Sequence, residues 1–315
     1  MLSRTADHLY WMARYTERAE NLARIADVTN RMSLMPQSDS DLEMAWRATL
    51  KIIGLEEPYL ARFERITPDS VLRYLVFDRE NPASIYNCLR AARENAHAVR
   101  GTLTSELWET ANTTWLEMRA KDPDSVGPDG MSPFFEWVKY RSHVSRGVTI
   151  GTMLQDESLR FIRLGTFLER ADSTARFLDV KYQMLEDRDA PPDEAADYYQ
   201  WSALLRSVSA FETFRRVYRD QITPIRVAEL LILREDMPRS LHRCLKEVHA
   251  NLSAVSNARS RETERRAGEL HASLKYGRIE DVFEIGVHEY LTRFLDRIYD
   301  LSNRINEDFL VPTLA

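Results

Sequence analysis

Glu17-Arg18-Ala19-Glu20-Asn21-Leu22-Ala23-Arg24-Ile25-Ala26-Asp27-Val28 recurs as Glu169-Arg170-Ala171-Asp172-Ser173-Thr174-Ala175-Arg176-Phe177-Leu178-Asp179-Val180, at an offset of 152 and with seven of twelve positions identical. Around the first copy, residues 3–35 hold no Gly and no Pro, and Trp11, Tyr15, Leu22, Ile25 and Ala26 recur at helical spacing. That pattern predicts one helix of about eight turns. Residues 153–187 read the same way, with Gly165 as the one breaker before Ala190-Pro191-Pro192.

The likeness extends beyond the motif. Trp46 matches Trp201 at an offset of 155, and residues 66–99 align with 222–255 at an offset of 156, with twelve of 34 positions identical. Shared residues include Pro82 with Pro238, Ser84 with Ser240, Cys88-Leu89 with Cys244-Leu245, and Asn95 with Asn251. Matches in one order with a slowly drifting offset indicate a single duplication of a large unit, not a solenoid of short repeats. The expected fold is all-α: a first helical repeat over 1–150 and a second over 151–315. They are expected to pack as one bundle about a pseudo-twofold axis, with the two motif helices near its centre. Thr67-Pro68 and Thr223-Pro224 read as helix starts, Thr capping and Pro in the first turn. Pro82 and Pro238 are expected to open the next long helices. Lys121–Pro133 reads as a long exposed loop.

Composition agrees with this class. The 315 residues are 44% hydrophobic and 29% charged, with only 10 glycines, which disfavours sheet-and-turn architecture. A net charge of -6 with interspersed signs leaves no nucleic-acid footprint. No apolar run approaches the roughly 18 residues of a membrane span, and the N-terminus lacks the apolar stretch of a signal peptide. A cytoplasmic location is expected.

On a helical wheel, Glu20, Arg24, Asp27 and Arg31 fall within about 80° of Glu17. The second copy repeats the stripe with Glu169, Asp172, Arg176 and Asp179. Two readings stand: a solvated face with intrahelical ion pairs, or a functional centre. Arg18 and Arg170 fall on the apolar side, near Leu22 and Ile25 or beside Phe177. There each must snorkel out or meet a buried acid, the Glu of the opposite copy being one candidate. Ala19 with Ala23, and Ala171 with Ala175, permit close helix approach.

Other chemistries fail. Glu94-x-x-His97 is the one match to a dinuclear carboxylate motif, and its counterpart is Ala250-x-x-Ser253. The seven histidines are scattered without zinc spacing, so no metal is expected. Gly-rich phosphate loops and nucleophile elbows are missing from the sequence, and no cofactor is implied. Cys88 and Cys244 at equivalent helix positions read as small core residues.

The opening Met-Leu-Ser-Arg-x-Ala-x-x-Leu-Tyr-Trp-Met-Ala-Arg-Tyr-x-Glu-Arg-Ala-Glu-Asn-x-Ala-Arg resembles the alpha-E family, a bacterial all-helical family named for its Glu-Arg motif. Arg93-Glu94-Asn95-Ala96, Ser105-Glu106-x-Trp108-Glu109 and Leu164-Gly165-x-x-Leu168-Glu169-Arg170-Ala171-Asp172 extend the resemblance along the chain. It places the Glu-Arg motif on Glu17-Arg18 and Glu169-Arg170. It also implies a context: such proteins are encoded beside, or fused to, a circularly permuted ATP-grasp protein, often with a transglutaminase-like protease. ATP-grasp enzymes join carboxylates to amines through acyl phosphates. The expected role is therefore a non-catalytic partner or substrate-binding subunit of an ATP-grasp-type peptide or amide ligase system. Two alternatives stand: an enzyme component (ligase or transferase) acting through the Glu/Arg centre, and a purely structural scaffold.

Overall fold

The computed structural model describes residues 1–35, 37–121, 130–186 and 194–311, with backbone alone for 184–186 and 194–196. Among them the chain is helical throughout, without a strand. The first half runs α1 (Ser3–Ser33), α2 (Asp39–Ile52), α3 (Glu56–Leu60), α4 (Pro68–Val76), α5 (Ile85–Ala98), α6 (Ser105–Arg119) and α7 (Met131–Thr152). The second runs α8 (Glu157–Glu186), α9 (Glu194–Ser207), α10 (Phe211–Tyr218), α11 (Pro224–Ile232), α12 (Leu241–Ala254), α13 (Arg261–Lys275), α14 (Ile279–Ile285) and α15 (Val287–Ile305), closed by a π-helical turn at Asn306–Leu310.

Helix boundaries repeat the sequence offset. α4, α5 and α6 begin and end 156 residues before α11, α12 and α13, and α7 begins 156 before α15. The tails after residues 100 and 256, where sequence identity fades, keep this spacing because the hydrophobic period survives when side-chain identity does not. By contact the chain divides into a first unit, Met1–Thr166 with the residues from Phe309, and a second unit, Phe167–Asp308. The division falls within α8.

In the first unit, α1 packs on α5 and α7, α5 on α6, and α6 on α7. This closed ring of pairs is the connectivity of a four-helix bundle. The small-residue face of α1, with Ala19, Ala23 and Ala26, lies in a core with Trp46, Leu50, Val71, Cys88, Phe135 and Val138. Gly165 has a local reason: a Cβ there would sit 2.2 Å from the Tyr10 carbonyl oxygen and 3.2 Å from the Ala13 Cβ. Only glycine lets α8 approach α1 so closely. Cys88 and Cys244 are both buried, as core residues should be.

Several local expectations are corrected. Thr67 caps α4 in a reciprocal box with Ser70, but Thr223 makes no cap bond and its Oγ1 is buried without a partner. α5 and α12 start after Pro82 and Pro238, because Ser84 and Ser240 are the true N-caps, accepting from the amides of Asn87 and Arg243 at 3.2 and 3.0 Å. Of the expected Lys121–Pro133 loop, Met131, Ser132 and Pro133 form the first turn of α7, where Pro is tolerated. The loop's residues 122–129, and the expected Ala190-Pro191-Pro192 stop, lie outside the described residues.

Candidate functional site

The first copy of the charged stripe is not a solvated face. Glu17, Glu20 and Asp27 are 1%, 0% and 4% exposed, and Arg24 is 8% exposed. Burial at this level requires compensating charge, since an isolated ion in the interior costs several kcal/mol. The compensation comes from α7, whose Lys139, Ser142, His143 and Arg146 fall at i, i+3, i+4 and i+7, one face of a helix.

Glu20 is the hub. Its Oε1 accepts from Arg24 Nε at 2.8 Å, and its Oε2 accepts from Ser142 Oγ at 2.6 Å and from Arg146 Nη1. The same Arg146 Nη1 donates to Glu17 Oε2 at 3.1 Å. Arg146 Nη2 lies 2.7 Å from His143 Nδ1, and Arg24 Nη2 lies 3.4 Å from His143 Nε2. A guanidinium can only donate and a neutral imidazole has one acceptor nitrogen, so His143 accepts from one of the two arginines at a time. Further along, Asp27 takes Lys139 Nζ at 2.9 Å and Arg31 Nε at 2.9 Å, and both cations also reach Glu136. Glu17, Glu20 and Asp27, all buried, thus face Arg24, Lys139 and Arg146, while Arg31 and Glu136 meet at the exposed end of the seam. Opposite charges compensate one another along it. Beside it, between α1, α5, α6 and α7, lies a cavity of about 30 Å³ whose lining is largely apolar, with Met12, Leu89, Leu107 and Val138 beside Thr114 and Ser142. That is room for water, not for a substrate.

The second copy does not reproduce this site. Glu169 is buried, but Asp172 and Arg176 are partly exposed and pair with each other through two hydrogen bonds, of 2.9 and 3.1 Å. Asp179 meets His288 Nδ1 at 2.6 Å. The physical reason lies on the partner helix. At the 156-residue offset, Lys139, Ser142, His143 and Arg146 become Leu295, Ile298, Tyr299 and Ser302, so the polar and cationic side chains that α7 brings to the first copy have no counterparts at those positions of α15. The motif is repeated in sequence; the seam is not.

Arg18 and Arg170 also part company. Arg18 is half-buried, its guanidinium 5.7 Å from the centroid of the Tyr15 ring. Arg170 is 7% exposed, 5.2 Å from the Phe167 ring centroid and facing the Pro238 carbonyl at 3.5 Å. Both answer the apolar surroundings in part by lying against an aromatic face. The α7 residues that complete the seam are absent from a reading centred on the motif, although their helical spacing was a usable signal. A second correction concerns the histidines. His242, His249 and His271 are not scattered but come together where α12 meets α13. Among the described residues no three His, Cys, Asp or Glu side chains are placed to hold a metal ion. No helix among them is long and apolar enough to cross a membrane.

These features define an all-helical module in which a repeated Glu-Arg helix holds charge inside the fold. The chain belongs to the alpha-E family: the family model, described as "a predicted alpha-helical domain with a conserved ER motif", matches residues 1–310. Uncharacterized proteins of Mycobacterium bovis and of two Mycobacterium tuberculosis strains are 25% identical to it over 335 residues, covering 98% of this chain. The chain spans only 36% of the length of those relatives. No solved structure matches it.

Proposed function

We propose that this chain is a non-catalytic helical partner of an ATP-grasp-type peptide or amide ligase system, and that the first Glu-Arg copy is internal cement. The observation that carries this reading is the closed α1–α7 seam: Glu20 is fully buried and bound to Arg24, Ser142 and Arg146. A general base must reach the proton it abstracts, and a carboxylate ringed by two arginines and a serine inside a bundle has no such access. The length of the mycobacterial relatives supports partnership, since there a region like this one is joined to a much larger remainder. The partners proposed are the circularly permuted ATP-grasp protein and the transglutaminase-like protease that the family resemblance implies.

The test is co-expression with the neighbouring ATP-grasp protein. A stable complex, with ligase activity changed by this chain, is expected. Separate elution together with unchanged ligase activity would overturn the proposal. Glu169→Gln, in the copy without a seam, is expected to leave that activity intact.

A further inference from the structure

In the second unit three imidazoles meet between two helices. His242 and His249 lie seven residues apart on one face of α12, and His271 reaches them from α13. The His271 ring centroid is 5.4 Å from that of His242 and 5.7 Å from that of His249. Gly268 makes room for this: a Cβ there would come within 3.2 Å of His249 Nε2. His242 is buried, and its Nδ1 lies 2.8 Å from the Leu233 carbonyl oxygen. A carbonyl only accepts, so that nitrogen carries the proton and the neutral ring turns a bare lone pair at Nε2 into the interior. Both His242 Nε2 and His271 Nε2 are buried without a hydrogen-bond partner.

The surroundings disfavour a further proton. On α12, Lys246 and Arg243 are tied to Glu235 and Glu247. On α13, Lys275 adds positive charge near His271, which Glu235, in the turn before α12, opposes. α11 contributes the Leu233 carbonyl at its C-cap. α15 meets α13 on the side of Arg265 and Arg266, where Asp300 pairs with Arg266 and Asp296 and Arg297 line a surface groove. A second proton on His242 or His271 would place an N–H with no acceptor beside two other imidazoles.

We propose that the histidine cluster between α12 and α13 is a proton-operated latch, closed while the three rings are neutral and opened when His271, which touches both of the others, is protonated. Independent support is that burial first, then His242, His249 and Lys275, hold His271 below the ordinary imidazole value. The sign follows. The unfolded or opened chain binds the proton first, near pH ~6.5. Closure is fully stabilised above that value and weakens as pH falls towards the lowered folded value.

The experiment is amide hydrogen exchange on the full chain at about pH 7.5 and about pH 5.5, corrected for intrinsic exchange, with imidazole titration followed by NMR. Acidification is expected to speed exchange in α12 and α13 several-fold and to leave α2 and α4, which hold no histidine, unaltered. His271→Gln, neutral at both values, is expected to remove the acceleration. NMR of the unaltered chain should show His271 titrating below the ordinary range, which keeps the test independent of how well the variant folds. Equal protection at both pH values, an undiminished pH response in His271→Gln, or an ordinary titration of His271 would overturn the latch. A rise in melting temperature with zinc chloride at about pH 7.5, lost in His271→Gln, would overturn it in favour of a metal.

Discussion

At the scale of residues, the decisive pair is Glu20 and Arg146. Removing one member of a buried ion pair leaves the other uncompensated and costs about 3–5 kcal/mol. Glu20→Gln is therefore expected to lower unfolding free energy by that amount in urea denaturation. Ser142→Ala removes one neutral donor and is expected to cost about 1 kcal/mol. Asp172→Asn touches a partly exposed i,i+4 pair, and its effect is expected to stay within about 0.5 kcal/mol. Two positions that align in sequence thus differ several-fold in consequence. The stripe itself was legible from Glu17, Glu20, Arg24 and Asp27 at helical spacing. Its burial was not, because burial depends on what α7 presents, more than a hundred residues away.

Among helices, the sequence period and the serine caps specify where elements begin, and α5 with α12 shows how closely: Ser84 and Ser240 cap both at matching positions. Glycine illustrates the limit of such reading. Gly165 looks like a helix breaker, yet it is the contact point of α8 on α1. Gly165→Ala is expected to cost about 1–3 kcal/mol through overpacking against Tyr10 backbone, which cannot rotate away. Gly147 and Gly151 on α7 have nothing within 4 Å of the position a methyl group would take. Alanine at either is expected to raise stability by up to about 1 kcal/mol through helix propensity alone. Thermal denaturation of the three variants separates a packing glycine from two permissive ones. Thr223 marks the same boundary from the other side, since its sequence context promised a cap that the local geometry does not make.

For the whole molecule, helices at a repeated spacing carry two different kinds of charge chemistry. The first unit buries an ionic seam between α1 and α7; the second gathers imidazoles between α12 and α13. The repeated pattern was legible in residues 66–99 and 222–255, whereas the loss of the seam lies beyond them, where Leu295, Ile298, Tyr299 and Ser302 stand in place of Lys139, Ser142, His143 and Arg146. The seam joins residues 126 apart in the chain, Glu20 and Arg146, so it fixes α7 against α1. A double-mutant cycle on the full chain, Glu20→Gln with Arg146→Gln in urea, tests this most directly. The expected result is two strongly destabilising single variants with a favourable coupling of about 1–3 kcal/mol between them. Single variants as stable as the parent chain, with no coupling, would contradict a structural seam and return the motif to a solvated or catalytic face.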